Sequence, residues 1–151
     1  MSTIKVDTYL TRGGASEIAI DKLKGVTAAG SMLVVGEGGT NTTNLQQGLA
    51  KVWVQFDGTA SGAAARDSFN VSGMTDNGTG DHTVTFNTDM AGTSNYSASG
   101  NAGQFSGASS NDVYCFHKNV AAGSLGVQVI RSTGSLIDQT FINCIIHGDL
   151  A

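Results

Sequence analysis

Hydrophobic and polar residues alternate along much of the chain with a two-residue period, and the alternation is clearest over residues 50–88. In the stretch KVWVQF, residues 51–56, the apolar Val52, Val54 and Phe56 occupy every second position. Successive side chains of a β-strand point to opposite faces, so these three residues share one face. The pattern therefore predicts a half-buried strand with Lys, Trp and Gln on its other face.

A second alternating segment, HTVTFNT, places His82, Val84 and Phe86 on one face and the threonines on the other. Between the two segments, residues 67–74 show a weaker strand pattern. The three segments together predict a three-stranded antiparallel unit at the centre of the chain. Such a unit is expected to be a scaffold and not a reactive site.

The sequence TDNGTGD, at residues 75–81, predicts the turn that joins the second and third strands of this unit. The dipeptide Asn77-Gly78 is typical of hairpins, because both residue types adopt the positive φ that a tight turn requires. Gly80 allows a second irregularity in the same turn.

Four later segments also show strand patterns: 95–100, an edge strand that carries Tyr96; 112–119; 126–131, expected to pair with 112–119; and 138–147. The last of them is mostly apolar on both faces. A strand of that kind is buried on both faces, so we expect it to lie centrally in a sheet or at a subunit interface. Residues 101–111, small and polar around Phe105, are expected to form an exposed loop.

Before the first strand of the central unit the pattern is weaker. Met32–Val35 is a short apolar run between glycines and predicts a buried strand. Thr43 stands three residues before Gln46, the spacing of a capping box, and predicts one or two helical turns ending by residue 50. We take this helix as the boundary between a segment over residues 1–45 and a β domain over residues 46–151.

Seven to nine short strands at close spacing predict an all-β fold, an antiparallel β-sandwich or barrel-like domain. The chain has 151 residues, enough for one domain, with 21 glycines and no proline. Charged residues make up 13% of the chain, against about 25% in typical soluble domains. Because charged residues are depleted at interface cores, this composition favours a surface partly buried against copies of the same chain.

The charge pattern argues against several partners. The net charge is −4 with no basic run, so a nucleic-acid partner is not expected. No apolar run approaches the roughly 18 to 20 residues of a membrane span, so membrane insertion is not expected. The first residues, MSTIKVDTYLTRGG, contain no apolar core of a secretory signal, so we expect assembly in a cytoplasm.

Two stretches and a later strand together resemble a domain of tailed-bacteriophage tail fibre proteins, especially those of podovirus-like phages of marine bacteria. The stretches are NLQQGLAKVWVQFDGT (Asn44–Thr59) and ARDSFNVSGMTDNGTGDHTVTFNTDM (Ala65–Met90), and the strand is Asn95–Ser99. The resemblance extends from residue 44 to the end of the chain. The opening STIKVDTYLT is also similar to the openings of such fibres.

This resemblance implies a structural virion protein that is not an enzyme, assembles as a homotrimer and contributes to host-surface adhesion, with a host glycan as one target. It implies that residues 1–45 attach to other virion proteins, a tail nozzle, an adaptor or the capsid. The short chain favours a short tail fibre or similar appendage. A capsid decoration or head-fibre (cement) protein and a glycan-degrading tail depolymerase remain alternatives. The expected location is the virion, after assembly in the host cytoplasm.

Two pairs of carboxylates are candidates for chemistry: Asp57 with Asp67, and Asp76 with Asp81. A glycosidase needs two carboxyl groups about 5 to 9 Å apart, and Asp76, Asn77 and Asp81 carry oxygens of the kind that bind calcium. All four aspartates lie near glycine turns, where Asp caps backbone amides. We therefore interpret them as turn residues and expect no catalytic residue among them.

Cys115 with His117 and Cys144 with His147 offer zinc-ligand residue types. In strands, Cys144 and His147 fall on opposite faces, so we expect free, buried structural thiols instead. Three aromatic residues expected to be exposed, Trp53, Tyr96 and Phe105, could stack on sugars, but packing between subunits is the favoured interpretation. No catalytic, cofactor-binding or metal-binding residue is therefore assigned, and no cofactor is expected.

Overall fold

The computed structural model describes residues 32–104 and 112–151, which form an antiparallel β-sandwich with one helical turn. This confirms the expected all-β class and selects the sandwich over a barrel. The elements, in chain order, are β1 (Leu33–Val35), β2 (Thr42–Asn44), α1 (Leu45–Gly48), β3 (Ala50–Phe56), β4 (Ala65–Phe69), β5 (Val71–Gly78), β6 (Asp81–Phe86), β7 (Tyr96–Gly103), β8 (Val113–Lys118), β9 (Ser124–Arg131) and β10 (Phe141–Gly148).

The sandwich has two four-stranded sheets, and every neighbouring pair of strands in them is antiparallel. The first sheet has the order β4-β3-β10-β7 and the second the order β5-β6-β9-β8, while β1 and β2 form a separate two-stranded hairpin. Three expectations are confirmed: β7 lies at an edge, β10 lies centrally, and β8 pairs with β9.

The core lies between the sheets and is built from alternate residues of the four central strands. Because strands β3, β6, β9 and β10 alternate with a period of two, each turns one apolar row inward. The buried hydrophobic residues are Val52, Val54, Phe56, Ala63, Val84, Phe86, Met90, Leu125, Val127, Val129, Ile142, Cys144 and Ile146.

The expected three-stranded central unit is wrong, because the chain changes sheets in the middle of it. Residues 67–74 are not one strand but parts of two, β4 and β5, separated at Asn70. Asn70 has a positive φ of 58°, which breaks the extended backbone. β4 then pairs with β3 in the first sheet and β5 with β6 in the second.

The hairpin between β5 and β6 is confirmed, although the dihedral pattern of its turn differs from the expected one. The positive φ values belong to Gly78, at 124°, and Gly80, at 64°, and not to Asn77. Gly78 lies opposite Asp81, so Thr79 and Gly80 form a two-residue turn next to a bulge in β5.

The strand at residues 33–35 is confirmed, but its expected burial is wrong. Leu33, Val34 and Val35 are 54%, 50% and 59% exposed. The three residues pair with Asn44, Thr43 and Thr42, and that hairpin lies outside both sheets of the sandwich. An apolar run predicts a strand through its β propensity, but it does not identify the surface that covers the strand.

The expected helix is a single turn, and its N-cap is Asn44 instead of Thr43. The Asn44 side chain accepts hydrogen bonds from the backbone N–H groups of Gln46 and Gln47. Thr43 belongs to β2, whose pairing with β1 fixes it one residue before the cap.

The expected loop at 101–111 begins later than predicted, because residues 101–103 extend β7. Phe105, with the rest of 105–111, and residues 1–31 of the expected attachment segment lie outside the described residues.

Candidate functional site

Three large side chains form a row across the outer face of the first sheet. Phe69, Trp53 and Ile145 lie opposite one another on β4, β3 and β10. They point outward because Val52 and Val54, on either side of Trp53, point into the core. Phe69 is 53% exposed and Ile145 37% exposed, while Trp53 is half-buried. We call Phe69, Trp53 and Ile145 the outer row.

The second sheet also exposes aromatic side chains, at its β8 edge. Tyr114 and Phe116 are 50% and 48% exposed, and their ring centroids are 6.4 Å apart. Val113 and Cys115, the residues alternating with them, pack against the core. β8 therefore has one face toward the core and one face toward solvent. Both sheets present apolar residues to solvent.

A groove lies beside the outer row, where α1, the start of β3 and the last residues of the chain meet. It has a cavity volume of about 730 Å³. Its lining residues are Asn44, Gln46, Gln47, Leu49, Ala50, Lys51, Phe69, Asp149, Leu150 and Ala151. Phe69 therefore belongs both to the outer row and to the groove.

Several polar side chains of the groove are bonded to other parts of its wall. Gln47 Nε2 donates to Asp149 Oδ1, and Lys51 Nζ donates to the carbonyls of Gln46 and Leu49. Polar groups that already have partners gain little from a new ligand. The surface of the groove that remains available for binding is mainly the side chains of its apolar residues.

The aromatic residues identified from the sequence do not all lie where expected. Tyr96 is a packing residue of the sandwich: its hydroxyl donates to the carbonyl of Ala121 at 2.9 Å, and its ring contacts Phe86 edge-on. Trp53 lies on the outer face. Sequence reasoning missed the exposed Phe69, Tyr114 and Phe116, although the alternation in 112–119 already placed Tyr114 and Phe116 on one face.

The candidate carboxylates are bonded to neighbouring residues or to nearby cations. Asp57 accepts hydrogen bonds from Thr59 and pairs with Arg66. The Thr59 hydroxyl, the largest cause, lowers the pKa of Asp57. Asp67 lies within β4 and not in a turn, so its expected turn position is wrong, although its side chain accepts from the amide of Ser68.

The second pair of candidate carboxylates lies at the β5–β6 hairpin. Asp76 Oδ1 accepts from the amide of Gly78 at 2.9 Å, which confirms its capping role. Asp81 differs from this expectation, because its side chain pairs with Lys118 of β8 and contacts the Asn77 amide instead of capping a backbone N–H. These contacts tie the hairpin to the far edge of the second sheet.

His82 is a polar residue in the core. It is 0% exposed, and within the described part of the protein neither ring nitrogen has a hydrogen-bond partner. Its ring packs edge-on against Phe56, and Nδ1 lies 4.0 Å from Asp76 Oδ1. Burial lowers the pKa of His82, outweighing the carboxylates of Asp76, Asp138 and Asp81, which raise it. The folded protein therefore favours the neutral ring.

We predict that stability falls as the pH drops below 6.5, the ordinary pKa of His82. Below this pH the His82 ring binds a proton in the unfolded chain, whereas burial disfavours the protonated ring in the folded state. The free energy of unfolding should fall by up to about 1.4 kcal/mol per pH unit between 6.5 and the lower folded-state pKa. Urea unfolding at several pH values between 8 and 5 measures this slope.

The control for this prediction is His82→Leu, which removes the titrating group. The free energy of unfolding of this variant should change less with pH between 8 and 5 than that of the wild type. Any loss of packing caused by the substitution lowers stability by the same amount at every pH and does not alter this slope. Burial also lowers the pKa of His117, so a smaller slope should remain. An equal slope in wild type and variant would contradict the role of His82.

Cys115 and Cys144 are free thiols, as expected, and Cys144 is buried. Burial raises the pKa of Cys115 to about 11 and that of Cys144 to about 12, so both are protonated at neutral pH. Cys144 Sγ lies 3.7 Å from His117 Nε2, whereas His147 is exposed. Over residues 32–104 and 112–151, no group of three or more His, Cys, Asp or Glu residues could hold a metal ion.

The part of the chain that the structure describes contains no helix long and apolar enough to cross a membrane. Several of its exposed hydrophobic side chains form two separate patches, the outer row with the groove on the first sheet and the Tyr114–Phe116 pair on the second, which we together call the apolar outer surface. Comparison with protein-family models, with curated proteins and with solved structures finds no match to this chain.

Proposed function

We propose that this chain is a structural, non-enzymatic virion protein of a tailed bacteriophage, a short homotrimeric tail fibre or similar appendage that contributes to host-surface adhesion. The phage assignment is supported by the resemblance of residues 44–151 to tail fibre domains. The observation that supports the assembly is the apolar outer surface, present on both sheets of the sandwich in a chain with 13% charged residues. Apolar patches of this kind mark protein–protein contacts.

The architecture suits a mechanical and adhesive role. Burying outer-face aromatic residues between copies would join the sandwiches into a rigid unit, since aromatic side chains supply much of the energy at interfaces. Loops at the strand ends, such as residues 119–123 between β8 and β9, would then be repeated on each copy. Repeated weak sites act together at a high effective concentration, which strengthens adhesion to a host glycan.

Residues 1–45 would attach the assembly to another virion protein at a tail nozzle, an adaptor or the capsid. The segment supplies position on the particle, and the sandwich supplies rigidity and the exposed contact surface.

We predict that the purified full-length chain has a native mass three times its 15.4 kDa chain mass. Light scattering over a range of concentrations measures this mass, and a glycan array then tests the oligomer for binding without turnover. A monomer at every concentration would contradict the trimer. Release of cleaved saccharide would favour a depolymerase over a fibre.

A further inference from the structure

The β1 strand exposes apolar side chains on both of its faces. Leu33 and Val35 lie on one face and Val34 on the other, and each is at least 50% exposed. Among the described strands, β1 pairs with β2 alone, and no strand of this part of the chain pairs with its second edge. An isolated two-stranded hairpin is marginally stable in water. The β1–β2 hairpin therefore needs another surface to cover it.

The groove has the complementary property, because it is concave and its exposed large hydrophobic side chains face the cavity. Leu49 and Phe69 are each 53% exposed and Leu150 is 41% exposed. Its Gln47, Asp149 and Lys51 side chains are bonded within the wall. The groove thus favours an uncharged, apolar occupant over an ion or a polar ligand.

The hairpin of the same chain does not fill its own groove. Asn44 lines the groove and also pairs with Leu33 in the hairpin, and the amide of Leu45 donates to the carbonyl of Met32 at 2.9 Å. The hairpin is thus fixed next to the groove, yet β1 stays exposed and the cavity stays open. Within residues 32–104 and 112–151, each copy therefore carries a protruding apolar strand and an open apolar groove.

We infer that the β1–β2 hairpin of one copy docks in the groove of a second copy. This inference rests on the self-association in the proposed function and specifies its surface. It gives residues 33–44 of the attachment segment a role in joining copies, and leaves attachment to other virion proteins to the residues before them. Two different patches meet in such a contact, so it is heterologous and can close into a ring. Glu37 is the one charged residue between positions 32 and 44. Because the contact is apolar, added salt should not weaken it.

Two full-length variants test this contact from its two sides. The hairpin variant carries Leu33→Ser and Val35→Ser, and the groove variant carries Leu49→Ser and Leu150→Ser. All four side chains are exposed, so folding should be retained and is checked by circular dichroism. Leu136→Ser, at a leucine that is 42% exposed outside both surfaces, is the matched control.

Each variant alone should associate at least about tenfold more weakly than the wild type, because two apolar side chains lose their burial. Analytical ultracentrifugation measures this change, and the control should match the wild type. The decisive sample is an equimolar mixture of the two variants. One intact hairpin then meets one intact groove, and the mixture should form a 1:1 heterodimer that grows no further.

The remaining outcomes separate the inference from the proposed function. Wild-type assembly with both variants unaffected would overturn the hairpin contact and leave the homo-oligomer in place. Loss of assembly in the hairpin variant alone, with no heterodimer in the mixture, would assign the hairpin a different occupant and overturn the groove. A wild-type monomer at all concentrations would overturn both.

Discussion

Replacing Gly80 by alanine is expected to lower the free energy of unfolding by about 2–5 kcal/mol. Gly80 has a φ of 64°, where an L-residue with a Cβ is strained. A Cβ there would lie 2.6 Å from the carbonyl oxygen of Val129 and 2.7 Å from the amide nitrogen of Ile137. Both neighbours are backbone atoms, so they cannot move aside as a side chain would.

The turn at Gly80 also connects the hairpin to the rest of the second sheet. Its amide donates to Asp138 Oδ1 at 2.6 Å, and its carbonyl accepts from the amide of Val129 at 2.8 Å. Moving the backbone to relieve the clash would therefore weaken both bonds. A small backbone movement therefore cannot relieve the clash without a loss of hydrogen bonding. Urea unfolding at pH 8 measures the resulting loss in the free energy of unfolding.

Gly73→Ala is the matched control for the Gly80 substitution. Gly73 also lies in the β5–β6 hairpin, has no positive φ, and a Cβ there would meet no atom within 4 Å. This change should leave stability within about 0.5 kcal/mol of the wild type. Equal losses in the free energy of unfolding of the two variants would contradict a destabilising clash between the added Cβ at Gly80 and its backbone neighbours.

The alternation in the sequence predicts well which residues form the core, for a physical reason. The strands β3, β6, β9 and β10 each bury one face, so burial itself imposes the two-residue period that the sequence displays. Val52, Val54 and Phe56 therefore point inward as predicted, and even His82 follows its apolar neighbours into the core. Gly80 was also identified correctly as a point of irregular backbone.

The same period cannot show which sheet a strand joins, or which surface covers an apolar run. The two-residue period does not reveal the change of sheet at Asn70, because the strands on either side of Asn70, β4 and β5, are both extended. It predicts a strand at β1 but not its exposure. The groove combines residues near position 47, Phe69 and residues near position 150, and no local pattern links positions so far apart in the sequence.

Asn70→Ala is expected to lower the free energy of unfolding by about 2–4 kcal/mol, because it removes the bonds that hold the sheet crossing. The side-chain amide nitrogen of Asn70 donates to the carbonyls of Lys51 and Thr88, each at 3.1 Å. Its side-chain oxygen accepts from the amide of Thr88 at 2.8 Å. One side chain thus joins the start of β3 to the chain just beyond β6, and β3 and β6 belong to different sheets.

Two further variants separate these bonds from the cost of the backbone conformation. Asn70→Gly keeps the positive φ accessible and loses the bonds, whereas Asn119→Ala places alanine at a second positive φ, of 48°, at an exposed position after β8. Asn70→Gly should retain most of the loss, and Asn119→Ala should lose only about 1 kcal/mol. If Asn70→Gly instead matches the wild type, backbone conformation alone sets the crossing. The side-chain bonds of Asn70 would then contribute nothing to holding the two sheets together.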